Sequence, residues 1–458
     1  MLLFSSTYFV FLIAVFFLYW PVARFRAAGL AVLLFANYFF YAKWDLFYLV
    51  LIPMASTIDY LVGLGLERSK NTRNRKALLA VSVALNIGIL FTFKYMPLVD
   101  SSWKWVFPLG ISFYTFQSLT YTIDIYRRDA KATSSYLAYL SAVSFFPTTL
   151  AGPITRPAEL IKQFERKSAE LLAADGARAF FLIGLGLSKK LLIADYIADN
   201  LVNRIFDLPK MYSGFEVLVG VYGYALQIYY DFSGYTDIAI GSALLLGLKL
   251  PQNFNAPYRA DNIADFWRRW HISLSNWLRD YLYFSLPGLR SKWKIFTYTN
   301  LIVTMVIGGL WHGANSNFAV WGLLHGCGLA FTRAVQVMRG NPRPSTRWWS
   351  RVARTFITVQ FVCFAWIFFR ATTFATAVDV LKRIGSLTFS TANISAPIAT
   401  VLAIAAILHY IPKRVYDWTL STYTAAPAVV QATAMALLLL GIEYAAASGS
   451  APFIYTKF

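Results

Sequence analysis

The chain has 458 residues, of which 58% are apolar and 17% aromatic. An average soluble domain is roughly 45–50% apolar, so this composition excludes a soluble protein and indicates an all-α polytopic membrane protein. The net charge of +20 would suggest a nucleic acid partner in a soluble chain, but we expect none here, because the basic residues lie between apolar runs and no recognised nucleic-acid-binding module is present.

The first four apolar runs have about the length of a membrane-spanning helix, which needs roughly 20 residues. They lie near residues 2–20, 28–43, 46–66 and 77–96. The link 67–76 is strongly basic, and cytoplasmic loops carry an excess of Lys and Arg. The sequence therefore predicts a chain embedded in a lipid bilayer, with its N-terminus outside and the link 67–76 in the cytoplasm.

The next stretch combines a spanning run with a piece too short to span. Residues 106–125 form another span, which contains Gln117. Residues 136–152 are shorter, contain Pro147 and have basic links at both ends. We expect this piece to enter the membrane and return on the same side. Re-entrant backbone is tolerated only inside protein or along a water-filled cavity, so the piece is a first indication of a cavity.

Charged residues interrupt the apolar runs that follow. Lys189 and Lys190 lie in the middle of one run, and Asp231 and Asp237 interrupt the next, residues 215–250, which is long enough for two segments. Ionisable groups within membrane segments are costly and usually face the protein interior. The two aspartates are therefore predicted either to pair with a neighbouring Arg or Lys or to contact a substrate.

Between residues 251 and 294 the chain becomes both charged and aromatic. Asp261 or Asn262 is expected to cap a helix that continues through Tyr283. Apolar residues recur there at three- and four-residue spacing, namely Trp267, Trp270, Leu274, Trp277, Leu278 and Tyr281. This spacing predicts an amphipathic helix that lies in an interface or lines a funnel, with His271 beside its apolar stripe.

The apolar run 295–311 leads directly to His312, which glycines flank on both sides. Asn315 then begins the cap of a second apolar run, which carries His325. Ionisable groups within membrane segments are rare, so a functional role is expected for His312. The alternative is a neutral core histidine bonded to a nearby carbonyl.

The remaining apolar runs complete a single domain, residues 1–458. They lie near residues 355–369, 396–411 and 427–447. In all, the sequence predicts about 11 spanning helices plus re-entrant and interfacial helices. The two cysteines, Cys327 and Cys363, both lie within apolar runs, which excludes a disulfide framework and a cysteine-ligated zinc site.

Five longer motifs appear in the chain in the order in which one known family has them. They are 108–117 (PLGISFYTFQ), 151–154 (AGPI), 230–237 (YDFSGYTD), 266–275 (FWRRWHISLS) and 309–314 (GLWHGA). Together they resemble the membrane-bound O-acyltransferase (MBOAT) family, most closely its bacterial branch with the alginate O-acetylase membrane subunit and the teichoic-acid D-alanyl transfer protein. The resemblance implies the MBOAT fold around a central tunnel or funnel. It also implies that His312 matches the catalytic histidine and His271 the second, upstream polar position.

The resemblance further implies a reaction, its direction and its partners. An acyl group, with acetyl as the first expectation, would pass from a cytoplasmic thioester across the cell inner (cytoplasmic) membrane toward hydroxyls of an exported polysaccharide or cell-wall polymer. The donor would be acetyl-CoA or an acyl carrier protein, and a periplasmic or surface acetyltransferase would complete the modification. The alternatives are D-alanyl or other acyl transfer from a carrier protein, or a transporter or channel without chemistry.

Acyl transfer from a thioester to a hydroxyl needs a base near the hydroxyl and stabilisation of an oxyanion. His312 is the expected base, since imidazole titrates near neutral pH, and His271 is expected to orient the thioester or donate to the oxyanion. Arg268 and Arg269 would meet phosphates of the donor, or else only anchor the cytoplasmic side. The further predicted substrate contacts are Trp311, Asn315, Asp231, Asp237 and Gln117.

The two remaining histidines, His325 and His409, are expected to have structural roles. For His325 we favour packing, with orientation of a neighbouring site residue as the alternative. A zinc site formed by His271, His312 and His325 is conceivable, but no bound metal or cofactor is predicted, because these residues are expected on different faces of the membrane. His409 is expected to be structural.

Overall fold

The structure is a computed structural model that describes residues 2–43, 46, 48–100, 102–103, 108, 110–165, 170–289, 291, 293–340 and 347–445. Within these ranges all regular secondary structure is helical, which confirms the all-α prediction. The start of the predicted span 106–125, Leu109 of the first motif and the end of the run 427–447 lie outside the described residues.

The chain divides into two compact units. The first comprises Met1–Gly186, Tyr235–Pro251 and Thr422–Ala432, and the second comprises Leu187–Gly234, Gln252–Ser421 and Thr433–Phe458. The organisation as a single domain, residues 1–458, stays a prediction.

The first unit contains ten helices among its described residues. They are Ser6–Val22, Arg26–Ala42, Tyr48–Arg68, Thr72–Lys94, Met96–Val99, Ile111–Arg127, Tyr136–Val143, Phe146–Thr149, Pro157–Phe164 and Ala173–Leu187. The short piece 136–152 thus forms two helices, and its side chains from residue 138 onward are buried. Ser135 caps the first helix, and Pro147 lies in the first turn of the second, where its missing N–H leaves no hydrogen bond unmade. Re-entry into the membrane stays a prediction.

The second unit begins with helical segments of changing pitch and ends with long helices. The short segments are Ser188–Ala194, Asp195–Ile197, Ala198–Val202, Asn203–Asp207, Pro209–Met211, Pro257–Arg259, Ile263–Trp267, Ile272–Trp277, Leu278–Leu282 and Tyr283–Ser285. The longer helices are Ile295–His312, Ser316–Met338, Trp348–Arg370, Phe374–Gly385 and Ala396–Tyr410. Four helices contribute residues to both units, namely Ala173–Leu187, Gly214–Leu245, Lys413–Ala425 and Ala428–Ala445.

Six helices of the described chain are long and apolar enough to cross a membrane, which confirms a multi-pass protein. They are Leu49–Arg68, Thr72–Lys94, Ile295–His312, Ser316–Met338, Trp348–Arg370 and Ala428–Ala445. Ala396–Tyr410 and Lys413–Ala425, which meet at 90°, would together make a seventh. The count is below the predicted 11 or so because several apolar runs form shorter helices. Ser6–Val22, for example, has 17 residues, about 26 Å of helix against a hydrocarbon core of about 30 Å.

The helices Ile295–His312 and Ser316–Met338 form a tightly packed hairpin. A Cβ atom on Gly309 would lie 2.1 Å from the carbonyl oxygen of Phe318, and one on Gly322 would lie 2.3 Å from that of Met305. Only glycine permits so close an approach of two helix backbones. This packing fixes the end of the first helix, where His312 lies.

The prediction of one helix through Tyr283 is wrong, because the helix is broken at His271. Asn262 does cap the first piece, Ile263–Trp267, by accepting a backbone N–H with its side chain. The backbone of His271 then lies in the left-handed region with φ 42°, which costs a non-glycine residue about 1–3 kcal/mol. The three- and four-residue apolar spacing continues through the break, so it did not indicate the left-handed conformation of His271.

The run 215–250 also differs from its prediction, since Asp231 and Asp237 do not interrupt it. Gly214–Leu245 is one helix of 32 residues. Lys190 lies 3.0 Å from the Asp231 carboxylate and 2.7 Å from that of Asp195. These contacts offset the cost of burying Asp231 within an otherwise apolar helix.

Candidate active site

His312 is the last residue of the helix Ile295–His312, and its side chain is only 4% exposed. Three aromatic rings surround the imidazole. The ring centroids of Trp311, Phe369 and Trp321 lie 4.9, 5.1 and 5.3 Å from that of His312. Packing against these rings holds the imidazole at the point where the chain leaves the helix.

His325 lies one helical turn after Trp321, and the two rings are 4.9 Å apart. The indole Nε1–H of Trp267 donates a hydrogen bond to Nδ1 of His325 at 3.2 Å. Because Nδ1 accepts this bond, the neutral imidazole carries its proton on Nε2. His325 therefore does more than fill space: it is held in one tautomer and packs on a residue that also contacts His312.

His271 is fully buried at the break between two short helices. Its Nδ1 lies 3.1 Å from Oδ1 of Asn253, an oxygen that also accepts hydrogen bonds from the backbone N–H and the hydroxyl of Ser273. The shared atom is thus an acceptor, so His271 donates from Nδ1 and its Nε2 carries a lone pair. Burial lowers the pKa of His271 to about 3, which keeps the ring neutral. This tautomer suits the orienting role better than donation to an oxyanion.

Aromatic contacts lead from the segment of His271 toward His312. The ring of Trp270 lies 5.1 Å from that of Trp366, which lies 5.9 Å from that of Trp321. Trp321 in turn contacts His312. The sequence analysis assigned no role to Trp321 or Trp366. The four-residue spacing from Trp321 to His325 does indicate that these two side chains are neighbours on one helix face.

Arg268 and Arg269 line a cavity of about 1060 Å³ in the second unit. Asp265 pairs with both, at 3.3 Å from Arg268 and 2.8 Å from Arg269. The charged lining residues are Arg259, Asp261, Asp265, Arg268, Arg269, Arg339, Arg351 and Arg354. Six arginines against two aspartates favour an anionic ligand, and guanidinium groups suit phosphate in particular. Arg339, Arg351 and Arg354 also line this cavity, although the sequence analysis did not single them out.

The other predicted substrate contacts have structural partners. Asn315 caps the helix Ser316–Met338, and its amide donates to the Thr372 carbonyl at 2.9 Å. Gln117, in the first unit, is buried and donates to the Thr148 hydroxyl at 3.3 Å. Substrate contact by Asn315 and Gln117 stays a prediction.

Substrate contact by Trp311, Asp231 and Asp237 also stays a prediction. Trp311 packs directly on His312, whereas Asp231 lies against Lys190, which is the pairing expected as the alternative to substrate contact. Asp237 is half-buried in the same helix as Asp231. Within the described ranges, no group of three His, Cys, Asp or Glu side chains could hold a metal ion.

This chain, a membrane protein with a buried histidine at a helix end and an arginine-lined cavity, is similar to known proteins. Residues 36–378 match the model of MBOAT, the membrane-bound O-acyltransferase family. The chain is 37% identical over 409 residues to a probable alginate O-acetylase of Azotobacter vinelandii, and the aligned residues make up 85% of this chain and 78% of the relative.

Two further relatives are named for other activities than the first. A peptidoglycan O-acetyltransferase of Helicobacter pylori is 36% identical over 386 residues, 76% of this chain and 72% of the relative. A teichoic acid D-alanyltransferase of Bacillus subtilis is 30% identical over 275 residues, 57% of this chain and 68% of the relative. The chain belongs to the membrane-bound O-acyltransferase family and is an acyltransferase, which confirms the resemblance seen in its motifs.

Proposed function

We propose that the protein moves an acetyl group from a cytoplasmic thioester across the inner membrane toward hydroxyls of an exported polysaccharide or cell-wall polymer. The position of His312, buried among aromatic rings at the end of a helix, carries this proposal. Acetyl is favoured because the relatives that match most of the chain are named for alginate and peptidoglycan O-acetylation. The D-alanyl relative matches a smaller share of the chain, so D-alanine from a carrier protein is the alternative acyl group.

His312 acts as the general base in this reaction. Its imidazole takes the proton of the acceptor hydroxyl as that oxygen attacks the thioester carbonyl carbon. A C–O bond forms and the carbonyl oxygen becomes negatively charged. When the C–S bond breaks, the thiolate leaves and takes the proton from the imidazolium, which returns His312 to its neutral form. The products are the O-acyl ester and a free thiol.

The arginine-lined cavity binds the phosphates of the donor. Its volume of about 1060 Å³ and its excess of arginines suit coenzyme A or the phosphopantetheine arm of an acyl carrier protein. The chain's N-terminus lies outside, and the basic links lie in the cytoplasm with the donor. A periplasmic or surface acetyltransferase partner completes the modification.

The test is the substitution His312→Ala in membranes supplied with labelled acetyl-CoA, with label on exported glycan as the readout. Removing a general base should lower the rate by at least about a hundredfold, while the protein still inserts and folds. His409→Gln is the matched control, because His409 is equally buried but bonds the backbone N–H of Tyr258. Near wild-type acylation by His312→Ala would refute the base assignment. Labelling from D-alanyl carrier protein but not from acetyl-CoA would refute the acetyl group.

A further inference from the structure

His325 and Trp321 each bury a hydrogen-bond donor that the described residues leave without an acceptor. The tautomer fixed by Trp267 places the proton of His325 on Nε2, and this atom has no partner in that part of the chain. The same is true of the indole Nε1–H of Trp321. Both side chains are at least 99% buried. A buried donor without an acceptor costs about 1–3 kcal/mol, so two on adjacent turns of one helix need an explanation.

These donors lie next to the proposed base. The ring of Trp321 is 5.3 Å from that of His312 and 4.9 Å from that of His325. Trp321 and His325 share a helix face, since they are four residues apart. An acceptor that reached Trp321 or His325 would therefore lie beside the residue that takes the hydroxyl proton.

Trp267, which holds His325, also lines a second cavity of about 320 Å³. This cavity is mostly apolar, and Gln336 lines both it and the arginine-lined cavity. A donor whose phosphates lie among the arginines would thus have an apolar space next to Trp267 for the uncharged part of its arm. A thioester carbonyl that reached past Trp267 would supply the acceptor that the N–H groups of His325 and Trp321 lack.

We propose that His325 is a further catalytic residue, whose Nε2–H donates to the thioester carbonyl oxygen of the acyl donor, with the Nε1–H of Trp321 as a second donor. The inference rests on the proposed function. Negative charge develops on this oxygen when the acceptor hydroxyl attacks, and preorganised donors stabilise that charge without transferring a proton. His271 has the opposite tautomer and presents a lone pair at Nε2, so it does not fill this role.

The decisive comparison is His325→Leu against His325→Gln. Leucine removes the donor and should lower kcat by about a hundredfold or more, with KM for acetyl-CoA within about twofold, because the bond strengthens only in the transition state. Glutamine retains an N–H at the distance of Nε2 and should restore activity to within about tenfold of the wild type. Trp321→Phe keeps a ring but loses the second donor, and a loss of about tenfold is expected.

Trp267→Phe tests the tautomer directly. It removes the N–H that fixes the proton of His325 on Nε2, so the ring can also carry its proton on Nδ1, and kcat should fall several-fold. Because Trp267 also lines the second cavity, KM is measured separately and the fall in kcat is the readout. A role in packing alone predicts no fall in kcat, because phenylalanine fills most of the space of the indole.

All variants are assayed as full-length chains in membranes with labelled acetyl-CoA, and rates are normalised to folded protein from thermal unfolding in detergent. His325→Leu with kcat within threefold of the wild type would overturn the inference, as would His325→Gln that is folded yet as inactive as His325→Leu. His312→Ala is measured in parallel. Activity in His312→Ala refutes the proposed function, whereas an inactive His312→Ala beside an active His325→Leu refutes this inference alone.

Discussion

His271 and His325 are two fully buried histidines with opposite hydrogen bonding. His271 donates from Nδ1 to the side-chain oxygen of Asn253 and keeps a lone pair on Nε2. His325 accepts from Trp267 at Nδ1 and keeps a proton on Nε2. One ring thus offers an acceptor and the other a donor, although both are neutral imidazoles.

The backbone around the two rings differs as well. His271 lies in the left-handed region at a helix break, where Asn253 holds both its ring and the first turn of the next helix. His325 lies within the long helix Ser316–Met338, which packs tightly against the helix of His312. The comparison teaches that the partner at Nδ1, and not burial, decides what a buried histidine can do. We expect His271 to orient and His325 to donate.

After His325→Leu, the largest expected effect in this comparison follows from His271→Ala. Loss of the orienting ring should lower acylation by about ten- to a hundredfold, less than for His312→Ala, because the base itself remains. The rate of label transfer from acetyl-CoA to glycan measures the effect. If orientation is the role, Asn253→Ala should reproduce much of this loss, since it removes the acceptor for the Nδ1–H.

Asn253→Asp is the matched control for that prediction, because its carboxylate keeps the acceptor oxygen for both His271 and Ser273. It should be more active than Asn253→Ala. A wild-type rate in His271→Ala would return this histidine to a purely structural role.

The next effect is a dependence of stability on pH. Burial lowers the pKa of His271 from 6.5 to about 3, so between these values the unfolded chain binds a proton that the folded chain does not. The free energy of unfolding should therefore fall as pH drops below about 6.5 and be unaffected by His271 above it. At about pH 5 this loss amounts to about 2 kcal/mol.

Thermal unfolding in detergent at about pH 7.5 and pH 5 measures this contribution of His271 to the free energy of unfolding. In His271→Asn, which cannot titrate there, the difference between the two pH values should be smaller than in the wild type by that amount. An identical difference in both proteins would show that the ring is not held neutral by burial. Because the ring stays neutral, an acid limb of activity near neutral pH belongs to another group, and His271→Asn should not shift its midpoint.

Features that depend on local composition could be predicted from the sequence. Apolar runs gave the all-α, multi-pass class, and the motifs gave the family. His312 at the end of its helix also followed from the sequence, since an apolar run and flanking glycines mark that position. The cap at Asn262 is equally local, because its side chain bonds a backbone N–H three residues away.

Features that depend on distant contacts could not be predicted. Asn253 lies 18 residues from His271, and Trp267 lies 58 from His325, so neither tautomer was visible in the sequence. Asn253 also accepts the backbone N–H of Ser273 just after the break at His271, and apolar spacing, which predicted a continuous helix, does not show such a contact. The pairing of Asp231 with Lys190 is likewise a contact between separate segments.

The smallest expected effect separates donor binding from the chemistry of the two histidines. Arg351 lines the arginine-lined cavity, and Arg351→Ala should raise KM for acetyl-CoA several-fold with kcat unchanged, because phosphate binding is equally strong in ground state and transition state. The histidine variants should do the reverse. Arg73→Ala is the matched control, since Arg73 is an exposed arginine that is not part of that cavity's lining.

The role predicted for Arg351 also makes donor binding depend on the salt concentration. If Arg351 acts through the donor's phosphates, raising the salt concentration should weaken donor binding in the wild type and weaken it less in Arg351→Ala, because one of the screened contacts is already gone. A lower kcat in Arg351→Ala with KM unchanged would contradict the prediction and connect this cavity to the chemical step. Equal KM values in Arg351→Ala and Arg73→Ala would show that Arg351 does not meet the donor, and would leave the positive-inside rule as the reason for its charge.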